Sequence, residues 1–400
     1  MAPIASSRIA PLRESPTRRI DRIKEKLQRE GRDIILLSTG QPSIPPPRWV
    51  REDVRKALEK ESMELYRYSP SRGIYDLRRA LVDDIKLFRG PELDEDQIVI
   101  TSGGQAAMFS TLASIIDEGS EVLVFDPMYF GYWPLLEYFG AKLKIVDLSI
   151  DEGYQPNLDK VLEVVMRGKT RAIIIVTPDN PTGRVLDRSI ARGLAEIASD
   201  IDAWVVVDEA YRTLIYEGEH SWFYKYAPDN SIVVGTFSKD PGIPGWRLGY
   251  VYGPKTIIDK ISIVSEEITY CPPIVAQYLV YWYLTRQEDR LRHLEETKKV
   301  YKEKRDLSMM FINKYLPRAR YTKPSGSMFI LVDLSDYLRE LGVESDVFAE
   351  KLLEEKGVAT VPGKYFGRTV PFSVRISFVA ETVERMERGI KYIRDFLEEL

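Results

Sequence analysis

Short apolar runs alternate along most of the chain with longer amphipathic stretches. Ala172–Thr177 and Trp204–Asp208 are almost continuously apolar, which is typical of central parallel strands buried on both faces. The alternation predicts an α/β fold with a mostly parallel sheet that is flanked by helices. The pattern predicts seven strands, at Gln97–Ser102, Glu121–Asp126, Lys142–Leu148, Ala172–Thr177, Trp204–Asp208, Ile232–Thr236 and Gly249–Tyr252.

A second, smaller α+β domain is predicted where this pattern changes. A long charged helix is expected from about Glu288 to Tyr315, and shorter strands and closing helices follow it. We expect a large domain at residues 46–285, and a small domain made of residues 286–400 with an N-terminal arm, residues 1–45. Gln41–Pro47 is predicted to be a linker because it is rich in proline. The helical pattern of the large domain covers Arg48–Lys60, Ile74–Phe88, Gln105–Ile116, Leu158–Arg167 and Arg188–Ala198. The small-domain elements are expected at Met328–Val332, Ser345–Lys356, Val374–Phe378 and Val383–Leu397.

Composition and charge narrow the class of protein. The formal net charge is -4 and no basic block stands out, which argues against nucleic acid as a partner. No apolar run is long enough to cross a membrane, and the N-terminus does not read as a signal peptide. Cys271 is the only cysteine, so no intrachain disulfide forms, which fits the cytoplasmic location that we expect. The chain has only two histidines, His220 and His293, which are too few for a histidine-rich metal site. Both are predicted to be solvated.

Two reactive side chains follow predicted buried strands. Lys239 comes directly after the strand that ends at Thr236, where the amine could form a Schiff base with a carbonyl compound. The alternative is an ordinary surface lysine. Asp208 ends another strand, and its carboxylate suits a ring nitrogen that must stay protonated. A helix cap or a magnesium ligand are the alternatives for Asp208.

Two further segments suit a phosphorylated ligand. Asn180 lies in a tight turn after a strand, where its amide can face a ligand oxygen, although a purely structural turn has the same sequence. Gly103 and Gly104 stand between a strand and a helix, where free N–H groups and the helix dipole favour a phosphate. A plain strand-to-helix turn is the alternative there. The P-loop lysine and the dinucleotide glycine spacing are both missing, so the phosphate of a small cofactor is favoured over ATP or NAD.

In this order, the four segments resemble the class I/II aminotransferases, the aspartate-aminotransferase-like group of pyridoxal phosphate enzymes with fold type I. The resemblance runs from Thr39-Gly-Gln-Pro42 to Arg375-Ile-Ser377. It implies pyridoxal 5'-phosphate held as a Schiff base on Lys239. It also implies ping-pong transfer of an amino group between an L-amino acid and a 2-oxo acid, for which 2-oxoglutarate is expected. A homodimer with shared active sites belongs to the same expectation.

The resemblance implies a role for each matching residue. Lys239, Asp208 and Tyr211 are expected to be catalytic, with Asp208 against the pyridinium nitrogen and Tyr211 and Asn180 on the phenolic oxygen. Tyr129 is expected to stack on the ring, and Tyr68 to reach the phosphate of the neighbouring subunit. The residues expected to bind the phosphate are Gly103, Gly104, Gln105, Thr236, Ser238 and Arg247. The residues expected to bind the substrate are Gly40, Asn180 and Arg375, the last through two hydrogen bonds to the α-carboxylate.

Departures from the pattern leave the substrate and the reaction open at this point. One subgroup that acts on aspartate has a lysine directly after the two glycines, where this chain has Gln105. Arg18 and Arg67 are candidates for a replacement cation, although both can be plain surface charges. The same scaffold also serves carbon–sulfur lyases, aminocyclopropane-carboxylate synthases and acyl transferases. Regulators that carry a DNA-binding domain ahead of such a scaffold need more than the roughly 40 residues found before it here.

Overall fold

The computed structural model describes residues 17–60 and 63–400, together with residues 6 and 9. The N-terminal part of the predicted arm therefore lies mostly outside the described residues. The helices in this part of the chain are α1 (Thr17–Arg29), α2 (Arg48–Leu58), α3 (Tyr75–Leu87), α4 (Gly104–Ile115), α5 (Trp133–Tyr138), α6 (Leu158–Val164), α7 (Arg188–Asp200), α8 (Lys255–Thr269), α9 (Ile274–Thr285), α10 (Gln287–Tyr315), α11 (Ser335–Leu338), α12 (Ser345–Lys356) and α13 (Val383–Glu399).

The strands form one large sheet and two small ones. They are β1 (Ile35–Leu36), β2 (Ile98–Thr101), β3 (Glu121–Asp126), β4 (Lys142–Asp147), β5 (Thr170–Val176), β6 (Trp204–Asp208), β7 (Ser231–Thr236), β8 (Gly249–Tyr252), β9 (Phe329–Asp333), β10 (Val358–Ala359), β11 (Val361–Pro362) and β12 (Ser373–Ser377). The large sheet has seven strands in the order β2-β8-β7-β6-β5-β3-β4. Only β8 runs antiparallel to its neighbours, so the predicted α/β class with a mostly parallel seven-stranded sheet is confirmed.

The centre of the large sheet is buried on both faces, as its continuous apolar runs predicted. In β6, Val205, Val206 and Val207 are at most 1% exposed, because helices pack on each side. The register aligns the carboxyl ends of neighbouring strands, since Val176 lies opposite Asp208 and Asp208 opposite Val234. Residues that follow β5, β6 and β7 therefore meet at one edge of the sheet.

The second region packs around the three-stranded antiparallel sheet β11-β12-β9. Its core is separate from the two apolar clusters on the faces of the large sheet, and it includes Phe329, Phe348 and Phe396. The long helix α10 connects the two regions, and it begins at Gln287, close to the predicted start. The division into residues 46–285 on one side and residues 1–45 with 286–400 on the other stays a prediction.

Helix α9 was not predicted, because Ile274-Val-Ala-Gln-Tyr-Leu-Val-Tyr-Trp-Tyr-Leu-Thr285 is apolar almost all round. A helix that is buried on most sides has no polar stripe, so its sequence has no amphipathic period. None of the helices in the described residues is long and apolar enough to cross a membrane.

Candidate active site

A cavity of about 480 Å³ opens at the carboxyl ends of the central strands, between the large sheet and the β12 sheet. Most of the predicted site residues line it, although they come from separate parts of the sequence. Those that do are Gly40, Gly104, Gln105, Tyr129, Asn180, Asp208, Tyr211, Thr236, Ser238, Lys239, Arg247 and Arg375. Gly103 lies directly behind Arg247, and Tyr68 lies outside the cavity of the single chain.

Lys239 points into the cavity, so the alternative of an ordinary surface lysine does not apply. Its ammonium donates a hydrogen bond to the Gly40 carbonyl at 2.7 Å and lies 5.6 Å from the centre of the Tyr211 ring. Burial, and then the positive charge of Arg375, lower the pKa of Lys239 to about 8. The lowered pKa increases the share of neutral amine near pH 7, and the neutral amine is the form that attacks a carbonyl carbon.

Asp208 is a buried carboxylate at the end of β6. It accepts hydrogen bonds from the Tyr132 hydroxyl and, at 2.9 Å, from the Ala210 N–H, but a turn and not a helix follows it, so the alternative of a helix cap is wrong. Burial raises the pKa of Asp208 to about 6 despite these bonds. The described residues contain no group of three side chains that could hold a metal, which leaves the magnesium alternative without support.

The turn between β2 and α4 forms an anion cradle. Gly103 has a φ of 99°, and a Cβ there would lie 2.6 Å from a guanidinium nitrogen of Arg247, so only glycine fits. No side chain caps the first turn of α4, whose N–H groups and dipole favour a negative charge. The hydroxyls of Thr236 and Ser238 lie 3.0 Å apart on the cavity wall beside it.

Arg375 is a second anion site, and it is only 4% exposed. Its guanidinium donates to the Asn180 side-chain oxygen at 2.9 Å and to the Ser38 carbonyl at 2.7 Å, while Nε has no partner. It lies 4.0 Å from the centre of the Phe329 ring. Burial lowers the pKa of Arg375 to about 10. No carboxylate pairs with it within residues 17–60 and 63–400, so an entering carboxylate would neutralise it.

The cavity also contains functional residues that the sequence did not single out. Tyr132 is 3% exposed, and its hydroxyl donates a hydrogen bond to Asp208. Its ring meets that of Tyr129 edge to face at 5.2 Å. Ser38 supplies its carbonyl to Arg375, although a backbone contact leaves no trace in a sequence. Tyr132 follows Tyr129 by three residues, and that spacing was the available signal.

The cation at the mouth of the cavity is neither Arg18 nor Arg67, because neither lines it and both are exposed. Helix α1 places Lys24 there instead, together with Ile20 and Asp21. The Lys24 ammonium lies 2.5 Å from the Asp21 carboxylate, so the pair is close to neutral. The mouth is therefore polar and carries little net charge.

Comparison with known proteins agrees with this geometry. The family described as aminotransferase class I and II matches residues 32–393. The chain is 31% identical to an aspartate/prephenate aminotransferase of Thermus thermophilus, over 96% of this chain and 97% of that protein. It is also 31% identical to an aromatic-amino-acid aminotransferase of Thermococcus litoralis, over 90% and 92%. The structure of a Thermus thermophilus aspartate aminotransferase with maleate aligns with a TM-score of 0.91 at 29% identity, and covers 98% of this chain and 100% of that one.

Proposed function

The chain belongs to the class I and II aminotransferases and is a transaminase, and from this premise we propose that it works with pyridoxal 5'-phosphate held covalently by Lys239. The single observation that carries the proposal is the position of a pKa-lowered Lys239 in one cavity with a buried Asp208. An amine, a carboxylate and an anion cradle are the three groups that this cofactor requires of a protein.

The chemistry of the residues that line the cavity fits the cofactor. Burial raises the pKa of Asp208, so a cation beside it would stabilise its charged form, and we assign Asp208 to the pyridine nitrogen. The uncapped first turn of α4, with Gly103, Gly104, Gln105, Thr236, Ser238 and Arg247 around it, is assigned to the phosphate. Asn180 and Tyr211 are assigned to the phenolic oxygen. Tyr129, on the cavity wall, is assigned to the face of the ring.

Each of these side chains would have its own role in the reaction. When bound, the cofactor spreads the negative charge that develops at the substrate Cα. Asp208 keeps the ring nitrogen protonated, which strengthens that effect. Lys239 Nζ, once released, would take the proton from the substrate Cα and deliver it to the C4′ carbon of the cofactor, and the reverse in the second half, and its lowered pKa suits both directions near neutral pH. Arg375 and the backbone at Gly40 hold the α-carboxylate so that the Cα proton faces Lys239.

We propose a ping-pong exchange between an L-amino acid and a 2-oxo acid, with 2-oxoglutarate as the acceptor. Arg375 supports both halves, because amino acids and 2-oxo acids share the carboxylate that it would bind. Relatives at the same identity are named for aspartate, prephenate and aromatic amino acids, so the donor is left to experiment. The Lys24–Asp21 pair at the mouth is close to neutral, so it does not select between donors with neutral and with dicarboxylic side chains.

We also propose a homodimer whose active sites are shared. Tyr68 is 82% exposed and stacks edge to face on Tyr270, which is 58% exposed. Two large exposed aromatic rings beside each other are typical of a surface that another chain covers. Tyr68 is assigned to the phosphate in the partner's cavity.

A substrate panel tests the proposal. The loaded enzyme is incubated with each amino acid and 2-oxoglutarate, and glutamate formation is measured together with cofactor absorbance. We expect one or more donors to bleach the visible band and 2-oxoglutarate to restore it. Release of ammonia with no consumption of 2-oxoglutarate for any donor would contradict transfer to this acceptor.

A further inference from the structure

A second cavity, of about 850 Å³, lies outside the site described above. It is bounded by the end of α3, the start of α7, the loop that follows β6 and one residue of α10. We call it the basic groove, because a single acidic residue, Glu219, and six basic residues line it. The six are Arg89, Arg188, Arg192, Arg212, Lys225 and Lys298.

Three of these cations are neutralised by acidic neighbours. Arg188 pairs with Glu219 at 2.6 Å, Arg212 with Asp84 at 2.6 Å and Lys298 with Glu295 at 2.8 Å.

The other three, Arg89, Arg192 and Lys225, have no acidic partner in the part of the chain that the structure describes. The whole chain has 61 acidic and 57 basic side chains and is therefore slightly acidic, whereas the groove carries a local excess of positive charge. An anion in the groove would offset it.

The lining also suits a single compact dianion. The Lys225 ammonium donates to the Arg89 carbonyl at 2.6 Å, which places a lysine charge beside the backbone of an arginine. Arginine and lysine both commonly bind phosphate groups in proteins. Arginine offers paired donors, and lysine offers a point charge. A phosphate monoester accepts hydrogen bonds from both kinds of cation, so it is the class of anion that this lining favours.

Aromatic rings complete the groove. The Arg192 guanidinium lies 5.5 Å from the centre of the Tyr226 ring, and Arg212 lies 5.9 Å from that of Trp222 and 5.7 Å from that of Phe88. Guanidinium planes and ring faces both stack on flat ligands. Trp222 is buried, so the partly exposed rings of Phe88 and Tyr226 are the flat surfaces that a ligand in the groove could contact.

The floor of the groove is connected to the active site. His220 and Arg212 line the groove, and their side chains are each 7% exposed, so the prediction that His220 is solvated is wrong. His220 Nε2 lies 3.1 Å, and Arg212 Nε 3.5 Å, from the Glu209 carboxylate. Glu209 directly follows Asp208 at the end of β6. A negative charge in the groove would attract the Arg212 guanidinium and interact with the His220 ring, both of which contact Glu209, and so would affect the strand end that carries Asp208.

We propose that the basic groove binds a phosphate monoester attached to a flat ring, of the nucleoside monophosphate type. Its occupation alters amino transfer through His220, Arg212 and Glu209, and this kinetic part rests on the proposed function. The binding part does not.

Calorimetry on the cofactor-loaded dimer tests the binding part, with AMP, ribose 5-phosphate and adenosine as probes. We expect AMP to bind saturably, ribose 5-phosphate to bind more weakly, and adenosine not to bind. The double variant Arg89→Gln/Lys225→Gln should weaken AMP at least tenfold while transamination without AMP is unchanged, since neither residue lines the active site. The matched control is Lys160→Gln, which removes an exposed lysine of α6. Absence of saturable AMP binding, or equal weakening in the control, would overturn the site.

The kinetic part has its own readout. Saturating AMP should change kcat/KM at least twofold in the parent enzyme and leave the double variant unaffected. The visible absorbance of the bound cofactor, titrated with AMP, reports the same link without turnover, so an inactive preparation does not obscure the result. AMP binding with neither kcat/KM nor absorbance altered would overturn the connection through Glu209.

Discussion

The Tyr132 hydroxyl donates a hydrogen bond to the Asp208 carboxylate, and so joins the segment after β3 to the end of β6 inside the cavity. Burial nevertheless raises the pKa of Asp208 to about 6. Ionising a buried carboxyl group is costly in the cofactor-free protein. Ionisation becomes favourable once a cation lies beside the group. The pair therefore makes the cofactor-free and the loaded protein respond differently to pH.

Asp208→Asn should affect the stability of the cofactor-free protein and the turnover of the loaded enzyme in different ways. Because the folded pKa of about 6 is above the ordinary 3.8, the cofactor-free protein loses stability as pH rises from about 4 to about 6. The loss is on the order of 3 kcal/mol. The variant lacks the titrating group, so its free energy of unfolding in urea should vary less over this range than that of the parent. In the loaded enzyme Asp208→Asn should slow turnover by several powers of ten, and near-normal turnover would remove Asp208 from its assigned role.

Tyr132→Phe should weaken cofactor binding about tenfold to a hundredfold at pH 7, since a hydrogen bond to a charged group contributes roughly 1.5 to 3 kcal/mol. Without that bond the pKa of Asp208 rises further, so the loss should be larger at pH 6 than at pH 8. Cofactor affinity measured by absorbance at both values checks this. Tyr154→Phe, in a buried tyrosine outside the cavity, is the control. Equal losses at the two pH values would show that Tyr132 only packs.

Much of the cavity was predictable because its side chains follow buried strands. Asn180, Asp208 and Lys239 come after β5, β6 and β7, and parallel strands bring their carboxyl ends to one edge. Contacts between distant segments leave no such pattern. The polar sequence around His220 indicated solvent, whereas Glu209, eleven residues earlier, holds it in a buried network.

The mouth of the cavity was missed for the same reason. The charged periodicity of α1 does not show that Lys24 faces the cavity, because that depends on how α1 packs against α12. The arginines that the sequence suggested for this role lie in the same arm and in the segment before Tyr68. Only the packing of the helix selects among the available cations.

Borohydride should attach the cofactor to a peptide that contains Lys239, and Lys239→Ala should abolish the visible band. The pKa of about 8 leaves roughly a tenth of this amine neutral at pH 7, far more than for an ordinary lysine. The rate at which the cofactor-free protein takes up cofactor should therefore rise about tenfold per pH unit below 8 and level off above it. Stopped-flow absorbance measures this rate. A label on a different peptide would refute the assignment of Lys239.

The shared-site dimer predicts a sedimentation mass of twice 46.0 kDa at micromolar concentration. Tyr68→Phe should keep the dimer and weaken cofactor binding severalfold, because it removes only a hydroxyl from the assigned phosphate contact. Tyr66→Phe alters a neighbouring exposed tyrosine and is the matched control. A fully active monomer at this concentration would contradict the shared site, and unchanged affinity in Tyr68→Phe would contradict the contact.

Arg375→Lys should weaken every α-amino acid and 2-oxo acid by a similar factor. The guanidinium is oriented by Asn180, the Ser38 carbonyl and the Phe329 ring, and lysine keeps the charge but loses the paired donors. We expect kcat/KM to fall by about tenfold to a thousandfold, or about 1.4 to 4 kcal/mol.

The visible cofactor band separates this role of Arg375 from two others. It should survive in Arg375→Lys, because the groups assigned to the cofactor are different residues. Loss of cofactor would make Arg375 structural, and loss of dicarboxylic substrates alone would assign it to the substrate side chain. Because Arg375 on β12 already donates to Asn180 after β5, a carboxylate bound to Arg375 would add to this link between the small sheet and the large one and favour closure around the substrate. Protection of the β12 backbone from hydrogen exchange by a non-reactive 2-oxo acid analogue should therefore appear in the parent enzyme and be weaker in Arg375→Lys.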